Sequence, residues 1–258
     1  MTRIILTGCN GKMGQVITRL VSNDPDAEIV AGCDPYNGIK NTYPVYSDVN
    51  DVVEKADAII DFSHPSSLNA LLEYSIKTKT PVIICTTGHT PEQKQAIIDA
   101  SVEAPVFYSA NMSLGINLIS GIVKNAAKTL EGLFDIEIIE KHHNQKIDAP
   151  SGTALMLADS VNSGLNEKAE YVYERASKHE KRSKNEIGIH AVRGGTIVGE
   201  HEVIFAGNDE IIEIKHTALS KEVFAVGAIR AAKYMSGITQ PGHYDMNDVI
   251  AESDQSGL

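Results

Sequence analysis

Cysteine is scarce in this chain, and basic residues are fewer than acidic ones. Only three cysteines occur among 258 residues, at spacings that match no zinc-binding pattern, so we expect no structural metal and a reducing, cytoplasmic setting. Lysine and arginine total 23 against 34 aspartates and glutamates, a net charge of −11. A surface of that sign repels phosphate backbones and anionic lipids, so we expect neither nucleic acid nor membrane among the partners.

Long hydrophobic runs are missing as well. The apolar run at residues 4–6 is too short for the core of a signal peptide, and no later run reaches transmembrane length. With 42% hydrophobic and 22% charged residues, the composition is that of an ordinary folded protein. The length exceeds the common size of a single domain, and we therefore expect two domains.

The first residues predict a strand, a glycine turn and a helix in direct succession. An apolar strand at residues 3–7 is followed by the spacing G-x-x-G-x-x-G from Gly8 to Gly14, and helical periodicity continues to Val21. A second strand at residues 27–33 ends at Asp34, 26 residues beyond the first glycine. This succession is typical of the start of a dinucleotide-binding domain.

The physical reason lies in the backbone of the turn. Glycines let the chain approach a pyrophosphate, the helix N-terminus offers amides, and Asp34 can accept hydrogen bonds from an adenosine ribose. Asn10 takes the place of the usual second glycine, and we expect the turn to survive because asparagine tolerates left-handed backbone angles. The alternative is a glycine turn that only connects a strand to a helix. The cofactor-binding residues predicted here are Gly8, Cys9, Asn10, Gly11, Lys12, Met13 and Asp34.

Three further strands are predicted, each separated from the next by a helical segment; they lie at residues 57–62, 81–85 and 105–108. The alternation predicts a Rossmann-like α/β domain with a parallel sheet. Ligands of such sheets bind at the carboxyl ends of the strands, so the following loops should line the nicotinamide half of the site. Its candidates are Cys85, Thr86, Thr87, Ser109, Ala110, Asn111 and Met112. Thr86, Thr87 and Asn111 could instead cap helices.

The densest chemistry of the chain lies in residues 140–153. A predicted strand at residues 134–140 leads into His142 and His143, and Lys146 follows in a loop. Either histidine can give or take a proton near neutral pH, and the lysine adds a mobile positive charge. The segment therefore suits an anionic substrate that must be protonated.

A helix start follows in the same segment. Pro150 and Ser151 suit its beginning, and the first amides, those of Gly152 and Thr153, have no acceptor within a helix. Together with the helix dipole they favour a bound carboxylate. The two histidines could instead bind a metal, but no Cys, Asp or Glu follows at a spacing that completes a familiar site. One histidine could also serve packing alone, because adjacent strand residues face opposite ways.

The second half predicts an α+β domain with a mostly antiparallel or mixed open sheet. A helix at residues 114–130 precedes the strand just described, and an antiparallel meander is predicted at residues 187–193, 197–205 and 210–216. Exposed sheet edges of this kind are often buried in oligomers, so we expect self-association. A closing helix at residues 224–235 should pack back on the first domain. The predicted domains are 1–112 with 223–258 for dinucleotide binding, and 113–222 for substrate binding and oligomerisation.

Taken together, these motifs closely resemble the 4-hydroxy-tetrahydrodipicolinate reductase family, also called dihydrodipicolinate reductases. The resemblance rests on residues 8–14, 86–88 and 110–113, above all on residues 140–153, and it runs nearly end to end. It implies NAD(P)H-dependent reduction of (2S,4S)-4-hydroxy-2,3,4,5-tetrahydrodipicolinate to (S)-2,3,4,5-tetrahydrodipicolinate with loss of water, in the diaminopimelate route to lysine, by a homotetramer. By resemblance, His142 is the general acid/base and Lys146 the proton donor. His143, Gly152 and Thr153 hold the dicarboxylate.

Three positions depart from the family's pattern. Cys85 stands where a glycine commonly precedes Thr-Thr-Gly, His64 where an arginine is frequent, and Pro35 where some members carry an arginine that could meet a 2′-phosphate. Asp34 would repel that phosphate, although Lys12 compensates in part. We therefore expect a preference for NADH over NADPH.

Two other functions fit the first half of the chain. Another two-domain dehydrogenase, acting on an amino acid or a semialdehyde, would share the glycine turn but has no need of the segment at residues 140–153. A noncatalytic dinucleotide sensor would fit only if that segment were structural.

Overall fold

The chain folds into two compact units. The structure, a computed structural model, describes residues 1–255, the last three by their backbone alone. Unit 1 comprises Met1–Ser113 and Glu222–Leu258, and unit 2 comprises Leu114–Lys221. Among the described residues, no helix is long and apolar enough to cross a membrane.

The elements follow one another in a regular alternation along most of the chain. The strands are β1 (Thr2–Thr7), β2 (Ala27–Cys33), β3 (Val45–Tyr46), β4 (Ala58–Asp61), β5 (Val82–Ile84), β6 (Pro105–Tyr108), β7 (Asp135–His142), β8 (Glu170–Val172), β9 (Glu186–Arg193), β10 (Gly199–Ala206), β11 (Ile211–Ala218) and β12 (Gly242–Tyr244). The helices are α1 (Lys12–Val21), α2 (Leu68–Thr78), α3 (Pro91–Ala100), α4 (Leu114–Leu130), α5 (Gly152–Gly164), α6 (Glu222–Met235) and α7 (Met246–Gln255).

Unit 1 is built on a seven-stranded parallel sheet in the order β12-β6-β5-β4-β1-β2-β3. Every residue of β4 and β5 is buried. Successive strand residues face opposite sides, so burial of all of them means that both faces of the sheet are covered. The strand order reverses at β1, which lies between β2 and β4. The predicted Rossmann-like α/β domain is confirmed.

Helix α6 belongs to unit 1, although it follows unit 2 in sequence. It packs against α1 and against strands β1, β4, β5 and β6. Its buried face carries mainly small side chains, which allow close packing; they are Ala225, Gly227, Ala228, Ala231 and Ala232.

Unit 2 is built on a five-stranded mixed sheet in the order β11-β10-β7-β9-β8. Strand β10 runs antiparallel to β7 and β11, whereas β9 runs parallel to β7 and β8. The predicted α+β unit with a mixed open sheet is confirmed. Its core joins α4 and α5 to the sheet, with buried side chains that include Val123, Ala127, Ile136, Ile138, Leu157, Val161, Ile187, Val203 and Phe205.

Of the antiparallel meander predicted for the last three strands of unit 2, the pairing of β10 with β11 is confirmed, whereas the pairing of β9 with β10 is wrong. Strand β9 does not pair with β10, because β7 lies between them. The chain leaves β7, passes through α5 and β8, and returns along β9 in the same direction as β7. A crossover through a helix produces a parallel neighbour, whereas the prediction had assumed short hairpins throughout.

Strand β7 alternates along its length between buried and more accessible side chains. Ile136, Ile138, Glu140 and His142 are buried. His143 follows directly after the strand and is only partly buried. Because strand side chains alternate between faces, Glu140 and His142 share the inner face of the sheet.

Candidate active site

The glycine turn of unit 1 is shaped by the close approach of two loops. Gly8 has a φ of 72°, and a Cβ atom there would lie 2.3 Å from the carbonyl oxygen of Phe62. Both constraints require glycine. Gly11 is the N-cap of α1 and has no side chain to cover the first amides of the helix. The positive end of α1 is therefore suited to a phosphate.

Asp34, at the end of β2, is tied directly to this turn. Its Oδ2 atom accepts the amide of Asn10 at 2.9 Å, and its Oδ1 atom accepts the amide of Tyr36 at 2.9 Å. The expectation that Asn10 uses its tolerance of left-handed angles is wrong, since it is not among the described residues with a positive φ. Its side chain instead accepts from Nδ2 of Asn41 at 2.7 Å and donates to the carbonyl oxygen of Tyr36, so the turn is held by hydrogen bonds.

A cleft of about 490 Å³ opens beside the turn. Its lining includes Gly8, Gly11, Asp34, Pro35 and His64. The volume lies in the range of small-molecule sites. A glycine backbone, a helix N-terminus and an acid at the end of β2 fit the pyrophosphate and ribose of a dinucleotide. Of the other predicted residues of the turn, Cys9 is buried, Lys12 is exposed and Met13 is partly buried.

The loop after β5 contains buried polar groups that lack a partner. Within the described part of the chain, Oγ1 of Thr86 and both ring nitrogens of His89 are buried without a hydrogen bond. Thr87 is exposed, and the next helix, α3, is capped by Thr90. Neither Thr86 nor Thr87 therefore serves as its cap. Burial raises the pKa of the Cys85 thiol well above its usual value, with a smaller effect from Asp61, so this side chain stays a neutral thiol.

The loop after β6 is held by its own polar groups. Oγ of Ser109 donates to the carbonyl oxygen of Asn111 at 3.0 Å, and Oδ1 of Asn111 accepts the amide of Ser113 at 2.8 Å, directly before α4. The alternative structural role of Asn111 at a helix start thus has support. Ala110 is exposed and Met112 is buried.

In unit 2, His142 is paired with a buried carboxylate. Its Nδ1 atom lies 2.6 Å from Oε2 of Glu140. Glu140 is fully buried, which by itself would raise its pKa, but hydrogen bonds from Arg193, His142 and the Ser151 amide outweigh burial and lower it. Glu140 is therefore ionised at neutral pH.

A second buried histidine lies beside the first. The rings of His142 and His201 meet edge to face, with centroids 5.1 Å apart. Nε2 of His201 is 2.9 Å from Oγ of Ser151. Burial first, and then the neighbouring His142, lower the pKa of His201 to about 4, so this ring is neutral at pH 7.

The start of α5 is fixed by this second histidine. Ser151 is its N-cap, and its hydroxyl accepts the amide of Ala154 at 3.2 Å. Gly152 is exposed, and a Cβ atom there would meet nothing within 4 Å. The first turn of the helix thus presents an unobstructed, positively polarised end, with Thr153 partly buried as its second residue.

Lys146 lies in the loop between β7 and α5 and is paired with Asp148. Its Nζ atom is 2.9 Å from Oδ1 of that carboxylate, which lowers the pKa of Asp148. His143 is partly buried, and its carbonyl oxygen accepts the amide of Lys146 at 3.1 Å. The structure therefore gathers His142, Lys146 and the start of α5 around one short loop.

Sequence reasoning missed the partners that hold these residues. Glu140 could have been found, because two-residue spacing on a strand places it on the same face as His142. Arg193 and His201 lie 53 and 59 residues beyond Glu140 and His142, respectively, and carried no local signal. His89 was overlooked beside the Thr-Thr-Gly motif. Among the described residues, no group of three or more His, Cys, Asp or Glu side chains is arranged to hold a metal.

The parallel sheet and glycine-turn cleft of unit 1, with the acid–histidine pair of unit 2, define the class of two-unit nicotinamide-dinucleotide oxidoreductases. Family models account for both halves of the chain. Residues 2–112 match the model described as dihydrodipicolinate reductase, N-terminus, and residues 115–250 match dihydrodipicolinate reductase, C-terminus. The chain belongs to the dihydrodipicolinate reductase family.

Curated relatives are similar to this chain over nearly its full length. A protein of Caldanaerobacter subterraneus subsp. tengcongensis is 56% identical over 97% of this chain and 98% of its own, and one of Clostridium tetani is 52% identical over 97% of each. Both are named 4-hydroxy-tetrahydrodipicolinate reductase.

Solved structures share the fold. A dipicolinate-bound dihydrodipicolinate reductase from Paenisporosarcina sp. TG-14 aligns with a TM-score of 0.76 and 24% identity, covering 95% of this chain and 98% of its own. A DAP dehydrogenase of C. glutamicum aligns with a TM-score of 0.58 and 13% identity, covering 100% of this chain and 99% of its own. At these identities the likeness is one of fold.

Proposed function

We propose that the chain reduces (2S,4S)-4-hydroxy-2,3,4,5-tetrahydrodipicolinate to (S)-2,3,4,5-tetrahydrodipicolinate in the diaminopimelate route to lysine. The observation that carries this proposal is the match of both units to one reductase family, with relatives of that name 56% and 52% identical over 97% of the chain. In the balanced reaction, one hydride and one proton enter the substrate and one water leaves. The reduced nicotinamide supplies the hydride when it is bound.

His142 is the general acid/base of the proposed reaction. Its Nδ1 atom is occupied by Glu140, and its other ring nitrogen remains for exchange of a proton with the substrate. A hydride that arrives at carbon needs a matching proton, and the departing hydroxyl leaves as water only after it is protonated. Burial of His142, whose side chain is 11% exposed, limits competition from water.

Lys146 is the proposed proton donor. Its Nζ atom lies 2.9 Å from the carboxylate of Asp148 and forms an ion pair with it. The side chain is also part of the short loop that joins His142 to the start of α5. A positive charge there attracts an anionic substrate and can deliver a proton to it.

The two carboxylates of the substrate require positive partners. We assign them to His143, Gly152 and Thr153. The support is the polarised start of α5, where Gly152 is exposed and Ser151 caps the helix from inside, so a carboxylate can approach the helix end without a side chain in the way.

NADH is the proposed preferred cofactor. Asp34 holds a negative charge at the end of β2, in the cleft where a ribose would lie, and it is fixed there by two backbone amides. Pro35 also lines the cleft and offers no positive charge. A 2′-phosphate would meet the carboxylate of Asp34 with little compensation other than Lys12, which is exposed.

The proposed assembly is a homotetramer in the cytoplasm. Strand β11 lies at the edge of its sheet and exposes Ile211 and Ile212, as expected for an edge that another subunit covers. All three cysteines are free and buried, which agrees with a reducing compartment. Light scattering of the purified protein tests the assembly.

Turnover with freshly generated substrate tests the function. We expect oxidation of the reduced nicotinamide, followed by its absorbance, only when the hydroxy-tetrahydrodipicolinate is added. A folded protein that binds the dinucleotide but leaves this substrate unchanged would contradict the proposal and favour a noncatalytic sensor. Turnover of an amino acid or a semialdehyde instead would favour a different dehydrogenase.

A further inference from the structure

Glu140 is a charged side chain in the core of unit 2. It is 0% exposed, and a carboxylate in such a position is stable only when its lone pairs are occupied. Oε1 accepts the amide of Ser151 at 3.0 Å and Nη2 of Arg193 at 2.7 Å, while Oε2 accepts Nη1 of Arg193 at 2.7 Å and lies 2.6 Å from Nδ1 of His142. Each oxygen of the Glu140 carboxylate therefore has two polar partners.

These contacts determine which ring nitrogen of His142 carries hydrogen. An ionised carboxylate only accepts hydrogen bonds, so Nδ1 must donate its hydrogen to Glu140. In the neutral ring Nε2 is then an acceptor, and in the protonated ring it becomes a donor. Proton exchange is thereby confined to Nε2.

The groups around His142 do not compete with this arrangement. Glu140 contacts it from its own strand β7, and Arg193 of β9 reaches that carboxylate rather than the ring. His201 of β10 packs edge to face at 5.1 Å and turns its Nε2 atom to Ser151. Lys146, in the following loop, is paired with Asp148.

Arg193 extends the same network to the loop that carries Lys146. Its Nη2 atom also donates to the carbonyl oxygen of Asp148 at 2.7 Å. The side chain of Asp148 in turn holds Nζ of Lys146. One arginine thus connects the partner of His142 with the partner of Lys146, and the amide of Ser151 connects Glu140 to the start of α5.

We infer that Glu140 is a positioning residue for the reaction: it fixes the tautomer of His142 so that Nε2 exchanges the proton. Arg193 in turn links Glu140 to the loop that carries Lys146. This role rests on the proposed function of His142. Glu140 does not need to touch the substrate, since it acts through the imidazole and through the start of α5.

The tautomer of His142 can be measured in the unaltered protein. We expect the ¹⁵N spectrum of histidine-labelled protein to show that, in the neutral ring of His142, Nδ1 carries the hydrogen and Nε2 does not; the His142→Gln spectrum assigns the signals. Protonation of Nε2 in the neutral ring would overturn the inference. This measurement does not depend on the folding of a variant at position 140.

Substitution gives the kinetic test. Glu140→Gln keeps the shape of the side chain but offers an amide N–H to Nδ1, which favours the opposite tautomer. We expect kcat to fall about 100-fold or more, with a smaller change in KM and unchanged NADH binding. The matched control is Glu137→Gln on the same strand, because Glu137 also binds a histidine, His190, at 2.8 Å through Nε2, and two arginines, Arg175 and Arg182. This control should keep kcat within about threefold.

The two proposals fail separately. Absence of wild-type turnover overturns the proposed function, whatever the tautomer. Wild-type turnover together with near-normal kcat in Glu140→Gln overturns the positioning role alone. An equal loss of kcat in Glu140→Gln and Glu137→Gln would show that Glu140 only stabilises the sheet. That result would also overturn the positioning role.

Discussion

Gly199 lies directly against the imidazole of His142. A Cβ atom at this position would be 3.1 Å from Nε2, the ring nitrogen that Glu140 leaves available. Gly199 begins β10 and is buried. The missing side chain therefore leaves open the nitrogen through which the proposed proton transfer runs.

Substitution of Gly199 should obstruct that transfer. We expect Gly199→Ala to lower kcat/KM about tenfold or more, because the added methyl group displaces the ring or covers Nε2. Steady-state kinetics with the substrate provide the measurement. Gly194→Ala is the control, since a Cβ atom there would meet nothing within 4 Å. Equal kinetics in the two variants would show that the approach of Gly199 to the ring has no catalytic consequence.

The two adjacent histidines should differ in the kinetic constant that they control. His142→Gln should lower kcat by about 10²–10⁴-fold, because it removes a proton-transfer group. His143→Gln should chiefly raise KM, because it weakens binding of a carboxylate.

Lys146→Met should lower kcat in the same assay, because it removes a proton donor. Near-normal turnover in both His142→Gln and Lys146→Met would refute the assigned roles.

Cofactor preference should change when a positive charge is placed beside Asp34. We expect wild type to have a higher kcat/KM with NADH than with NADPH, and Pro35→Arg to raise the value for NADPH about tenfold, since a guanidinium can pair with the 2′-phosphate. Pro35→Gln is the matched uncharged control. If wild type uses NADPH as well as NADH, the proposed preference is incorrect.

Stability should fall on mild acidification because of His201. Its pKa of about 4 in the folded state lies below the ordinary histidine value, so the unfolded chain binds more protons as the pH falls from about 6.5 to 4. The free energy of unfolding therefore has its full value above pH 6.5 and decreases as the pH falls from about 6.5 to 4. Between pH 7 and pH 5 the loss should be about 2 kcal/mol.

Urea denaturation at a fixed protein concentration measures this loss. His201→Asn should reduce the difference in unfolding free energy between pH 7 and pH 5, whereas His243→Asn, at an exposed position, should leave it unchanged. An unaltered pH difference in His201→Asn would mean that other groups cause the acid sensitivity.

Several features followed from local sequence. The apolar strands separated by helical segments predicted a parallel sheet, because burial on both faces leaves near-continuous apolar runs. Helix α4 has the predicted bounds, Leu114–Leu130, and the strand, glycine turn and helix at the N-terminus were predicted in order. The motifs of residues 140–153 were sufficient to indicate the family to which the chain belongs.

Other features depended on contacts between distant residues. The left-handed angle of the glycine turn falls on Gly8 rather than Asn10, and the carbonyl oxygen of Phe62, which is distant in sequence, leaves no room for a Cβ atom at Gly8. The direction of β9 was predicted wrongly, since an apolar pattern gives the faces of a strand but not its neighbours.

Local sequence patterns were sufficient to predict the alternation of elements, the glycine turn and the grouping of His142, His143 and Lys146. Strand spacing places Glu140 on the face of His142, but the burial of this carboxylate and its pairing with Arg193 appear only in the folded chain. Glu140 and Arg193 are 53 residues apart, and they meet because β7 and β9 pair in parallel with a particular register. Such pairing depends on the packing of the whole sheet, so it has no signature in the residues around either partner.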